Sequence, residues 1–127
     1  MLPAWVGGWM DYSSSSDNTN VDLLINHAKY QNSAFFAPYF KTAEAFKCPA
    51  DKSVMAVRGR QYPRVRSVSM NNFVGMQAAS IYTRSKYRIH TRVEQIRFPA
   101  KLFTILDERE DSINDGCFNA NILCRFF

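Results

Sequence analysis

Apolar and polar positions change their period once along this chain. Up to residue 46 the bulky apolar side chains come in groups that share one side of a helix: Val21, Leu24 and Ile25, then Phe35, Phe36, Tyr39 and Phe40. Asn20 stands where an N-cap is wanted for the first group. The second group predicts a helix from Ser33, with Pro38 tolerated in its opening turns but not deeper. Residues 42–45 add one more helical turn before the chain extends into Cys48 and turns at Pro49, Ala50 and Asp51. From residue 54 the pattern becomes short β-branched and aromatic runs, at 65–70, 72–76 and 102–106, each bounded by Gly, Pro or charge. Helices followed by strands predict the α+β class, with a helical N-terminal half packed on a small antiparallel sheet.

The same pattern nominates a core of Phe35, Phe36, Tyr39, Phe46, Val68, Met70, Phe103, Ile105 and Leu106. Burying each is worth roughly 1.5–3 kcal/mol relative to exposure. Ahead of the helices, residues 5–10 read as an extended segment whose Trp5 and Trp9 need burial or a partner. Residues 13–20, rich in Ser, Asp and Asn, read as a connecting loop, because those side chains satisfy local backbone groups better than they support a helix or ladder. Asn114, Asp115 and Gly116 read as a tight turn.

At 127 residues with 46% hydrophobic content, the chain has the size and composition of one globular domain rather than a disordered or low-complexity polymer. Its ten Phe, six Tyr and two Trp supply the core material. No window reaches the roughly 18 consecutive apolar residues of a membrane-spanning helix. Signatures of common enzymes are missing too: there is no Gly-x-Ser-x-Gly, phosphate-binding glycine loop or His-Glu-x-x-His. His27 falls in the first predicted helix and His90 among basic residues, both read as surface or packing positions. The expectation is a protein that is not an enzyme.

Three stretches in fixed order stand out: Phe46-Lys47-Cys48-Pro49-Ala50-Asp51, Arg64-Val65-Arg66-Ser67-Val68-Ser69-Met70-Asn71, and the run 103–116 from Phe103 through Asp107, Asp111 and Asp115 to Gly116. Together with residues 2–11 and the 13–20 loop, they resemble the globular head of bacterial prepilin-like proteins. These are the proteins that carry a processing-associated His-x9-Asp-Gly domain, relatives of type IV pilins and type II secretion pseudopilins. The resemblance spans about residues 2–118, taken as one head domain, and finds no pattern in residues 119–127, expected to be an atypical tail of small consequence for stability. It implies a noncatalytic structural subunit of an envelope-associated filament or secretion apparatus, at the cell envelope or extracellular surface. Its partners would be other pilin-like subunits, met through an N-terminal helix, with the membrane engaged only through that anchor; no small-molecule substrate is implied. Such proteins begin with a basic leader, a cleavage site and an apolar helix, and place their naming motif beyond the 115–116 turn. None of these is present, so the chain is expected to be a head fragment of a longer parent.

Charge adds a competing picture. Between Arg58 and Arg97 lie nine Lys or Arg and a single acid, Glu94, whereas the remainder holds seven basic and ten acidic residues. Interleaved with Tyr62, Tyr82 and Tyr87, the residues Arg58, Arg60, Arg64, Arg66, Arg84, Lys86, Arg88 and Arg92 could serve a small basic domain that binds nucleic acid or acidic polysaccharide. A solvated strand face or a charge-protected edge explains the same residues without a ligand and is preferred. The acidic run offers Asp107, Asp111 and Asp115, every four residues, as a weak calcium candidate, since carboxylates are the ligands that ion takes. Its spacing is not that of an EF-hand, and turn chemistry at 114–116 needs no metal; no other cofactor is expected. Three cysteines, Cys48, Cys117 and Cys124, allow at most one disulfide. Buried or unpaired thiols are the simplest reading, and Cys48 with Cys117 the first choice among bonded pairs.

Overall fold

The computed structural model describes residues 5–75 and 89–118. Expectations for Arg84, Lys86 and Arg88, for Cys124 and for the 119–127 tail fall outside the described residues. Among the described residues, two small sheets carry the architecture. In the first, β1 (Val54–Val57) and β2 (Arg60–Pro63) form an antiparallel hairpin, with Val57 opposite Arg60 and Met55 opposite Tyr62. Its two-residue turn places Arg58 at φ 50° and Gly59 at φ 77°. Positive φ at both central positions matches the right-handed twist of the flanking strands.

In the second sheet, β3 (Val68–Asn71) lies between β4 (Ile105–Asp107), antiparallel to it, and β5 (Cys117–Phe118), parallel to it. Alternation along β3 sends Val68 and Met70 toward the main core, while Ser69 and Asn71 are buried on the other side. The core centres on Trp5, Val6, Leu24 and Phe46, ringed by Ile25, Phe36, Phe40, Ala43, Val65, Val68 and Met70. Trp5 stacks on Phe46 with ring centroids 5.7 Å apart, and Phe40 meets Phe46 at 4.8 Å. Such aromatic pairs add to what their buried area supplies.

A helical N-terminal half is not what forms. Among the described residues there is one α-helix, α1 (Asp22–Ile25), of four residues, and the fold is mostly sheet and irregular chain. The stretch expected to be a helix from Ser33 closes instead as single turns, with Ala37 N–H donating to Ala34 O, Tyr39 to Phe36 and Phe40 to Ala37. Each bond spans three residues, the 3₁₀ pattern, and Phe40 and Thr42 are already extended. The physical reason lies in length and punctuation. Pro38 supplies no N–H to continue a helix, and isolated helices of fewer than about 12–15 residues are marginal. The sheet is not purely antiparallel either, because β5 joins β3 in parallel.

The aromatic groups divide rather than share a face. Phe36, Phe46, Val68 and Met70 join the core, whereas Phe35, Tyr39, Phe103 and Ile105 are exposed, Tyr39 at 80%. No helix among the described residues is long and apolar enough to cross a membrane.

Candidate functional site

The three stretches marked in the sequence meet along β3. Ser67 is their junction. Its hydroxyl accepts the Cys48 N–H at 2.8 Å and donates to the Asp107 carboxylate, while its own N–H reaches Phe46 O and its carbonyl accepts Glu108 N–H. One buried serine thus ties the 46–51 turn to the end of β4.

Lys47 and Asp51 build the turn itself. The Lys47 ammonium donates to Arg64 O at 2.6 Å and Ser53 O at 3.4 Å, and sits 3.5 Å from Asp51 Oδ2. Asp51 N–H closes the turn on Cys48 O, and its carboxylate takes the Ser53 N–H and hydroxyl. Partial burial acts against the charge on Asp51, but the Ser53 hydrogen bonds and Lys47 outweigh it and hold the carboxyl below its ordinary range.

Arg64 and Arg66 point inward. Both are 1% exposed. Arg64 donates to Glu110 O, with its guanidinium 5.1 Å from the Tyr12 ring centre. Arg66 donates to Val68 O at 3.0 Å and Asn114 O at 3.3 Å. Burial pulls Arg66 down to about 10, against the attraction of Asp115 and Glu108. These two side chains hold both ends of the acidic loop by its backbone. Trp5 Nε1 adds a third tie to Gly116 O, and Met10 N–H a fourth to Asn114 O.

Two open grooves flank the 48–51 turn, one of about 470 Å³ and one of about 310 Å³, and Cys48 and Asp51 line both. The larger has Val21, Ala43, Pro49, Pro63 and Val65 along it. Its ammonium, Lys47, is already engaged with two carbonyls and a carboxylate.

The other nominated residues are dispersed. Asp107 accepts from Ser67, Asp111 pairs with Arg109, and Asp115 accepts the Cys117 N–H at 2.8 Å. Among the described residues, no group of three or more His, Cys, Asp or Glu comes together as metal ligands. No disulfide joins Cys48 to Cys117, and burial, reinforced by Asp115, raises the Cys117 thiol to about 11. Of the basic candidates, Arg64 and Arg66 are buried, while Arg58 and Arg60 are exposed on the hairpin and Arg92 on a separate turn.

Sequence reasoning missed Asn18, which is fully buried within the presumed connector. Its amide donates to Asp11 Oδ1 and Ser13 O, its side-chain oxygen accepts Asp11 N–H, and its carbonyl accepts Val65 N–H. Asn18 and Ser13 hydrogen bonds hold the Asp11 carboxyl below its usual range. Composition alone gives no signal that separates this loop from a solvated one.

Comparison with protein-family models, curated proteins and solved structures finds no match to this chain.

Proposed function

We propose that the chain is a noncatalytic structural subunit, the head of a pilin-like or pseudopilin-like protein belonging to an envelope-associated filament or secretion apparatus. The observation that carries this reading is how the polar side chains of the three marked stretches are used. Ser67, Lys47, Asp51, Arg64 and Arg66 bind backbone groups or one another, across up to 48 residues of sequence, and this includes Lys47, Asp51 and Arg64, which also line the larger groove. Side chains used in this way hold a domain in shape. An enzyme would instead need a nucleophile, acid or base poised beside a substrate space. The resemblance of residues 2–118 to prepilin-like heads supplies the context, with other pilin-like subunits as partners and the envelope or cell surface as location.

The test is to place an epitope tag on the chromosomal gene, shear the cells and fractionate them. The expected result is the tagged protein in the sheared-filament or envelope fraction, with immunogold label on surface structures. Recovery solely from the cytosol would overturn the proposal.

A further inference from the structure

The β1–β2 hairpin stands largely in solvent. Of its eight strand residues only Met55 is buried, and all four of β2 are exposed. Its register puts Val57, Arg60 and Tyr62 on one face together with the buried Met55, since Val57 pairs with Arg60, Met55 with Tyr62, and residues two apart along a strand share a side. Arg58 stands at the adjoining turn. Val57, Arg58, Arg60 and Tyr62 line an open hollow of about 560 Å³, and the Tyr62 residue is 41% exposed. From Lys52 to Val93 the chain contains no acidic residue, so the local field near the hairpin has little carboxylate of its own strand to oppose it. Arg64 and Arg66, the neighbours in sequence, are turned into the interior and bound to carbonyls, which separates a solvent-facing pair of arginines from a structural one.

We infer that the hairpin face of Arg58, Arg60 and Tyr62 binds single-stranded nucleic acid. Two guanidiniums beside a hollow suit a phosphate backbone, and an exposed ring on the same face gives an unpaired base a surface to stack on. A duplex hides its base faces, and an acidic polysaccharide has none. The presence of tyrosine among the arginines therefore favours the single strand.

Fluorescence anisotropy of the full chain with labelled dT12 tests this, alongside a 12-base-pair duplex and a heparin oligosaccharide of similar charge. The single strand should bind most tightly. Tyr62→Leu should weaken it by about five- to 150-fold, while Tyr62→Phe retains binding. Arg58→Asn with Arg60→Gln should reduce the slope of log affinity against log salt by about 1.4, at roughly 0.7 per phosphate contact. Asn suits the left-handed turn position, so this variant keeps the hairpin. Lys41→Gln with Lys101→Gln removes the same net charge elsewhere and should leave the slope unchanged. Circular dichroism of every variant confirms folding. Absent dT12 binding at 25 mM salt, unchanged binding by Tyr62→Leu, or tighter binding of duplex or heparin would each overturn the inference.

Discussion

The indole Nε1 of Trp5 donates to the carbonyl of Gly116 at 2.6 Å, joining positions 111 residues apart in sequence. The approach is so close that a Cβ on Gly116 would lie 2.5 Å from Val6 Cγ2 and 2.9 Å from Trp5 Nε1. Gly116→Ala should therefore destabilise the domain by about 1–3 kcal/mol through overpacking. Trp5→Phe keeps a ring on Phe46 but removes one of the two donors to Gly116 O, which still accepts the Met70 N–H, and should cost about 0.5–1.5 kcal/mol. Urea denaturation measures both, and a Gly116→Ala protein as stable as the parent would show that the contact relaxes without loss.

Ser67→Ala removes one hydroxyl but leaves two groups short, the Cys48 N–H and the Asp107 carboxylate. An orphaned buried donor costs about 1–3 kcal/mol. Faster hydrogen exchange at Cys48 should accompany the loss, because that amide has then lost its acceptor.

Arg64 separates the value of volume from that of charge. Arg64→Ala loses the bond to Glu110 O, the contact with Tyr12 and the space filled by a long side chain, and should cost more than about 2 kcal/mol. Arg64→Met keeps most of the volume and removes a buried charge whose Nε and Nη2 have no partner among the described residues. It should be milder than alanine by at least about 1 kcal/mol. Equal losses would show that the guanidinium itself holds the loop.

Asp51 sets an acid-side dependence. Its folded carboxyl lies below the ordinary 3.8, so the unfolded chain binds a proton first as pH falls. The stability it contributes is fully present above the ordinary value and is lost as pH drops through the folded one. Asp51→Asn should be less stable than the parent at pH 7, and the gap should narrow as the pH falls below the ordinary carboxylate range. Melting curves across pH 2–7 check the sign; a gap that widens in acid would refute it.

At the hairpin tip, Arg58 adopts φ 50°, a region costing an L-residue other than Gly, Asn or Asp about 1 kcal/mol or more. Arg58→Asn should raise stability by about 0.5–1 kcal/mol. A fall in melting temperature would show that the arginine makes compensating contacts.

Two turns were legible in the sequence because their chemistry is local. Pro49 with Asp51 and Asn114 to Gly116 need only their own side chains and backbone to bend the chain, whereas the Arg58–Gly59 turn and its hairpin were not expected from the sequence. The β-rich runs expected at 65–70 and 102–106 overlap β3 and β4, while the described part of the run expected at 72–76 holds only an isolated bridge at Val74; the burial of Phe46 was legible. The helical stripe at 35–40 misled, since one aromatic spacing fits both an amphipathic helix and successive 3₁₀ turns, and only Pro38 hints at the latter.

What composition and spacing could not reach is direction. Arg58, Arg60, Arg64 and Arg66 look like one basic run, yet two face solvent and two lie buried against the backbone of residues 110 and 114. Asn18 looks like any loop asparagine, yet its side chain closes four hydrogen bonds, to Asp11, Ser13 and Ser15, and its carbonyl accepts the Val65 N–H. By itself the sequence determined the turns at 49–51 and 114–116 and which side chains have the bulk to form a core, because each follows from short-range sterics and side-chain size. The tertiary structure alone decided which arginines are structural, that β5 joins β3 in parallel, and that Ser67 and Trp5 fasten stretches 40 and 111 residues away. Those outcomes depend on long-range pairing of buried polar groups, which no local pattern encodes.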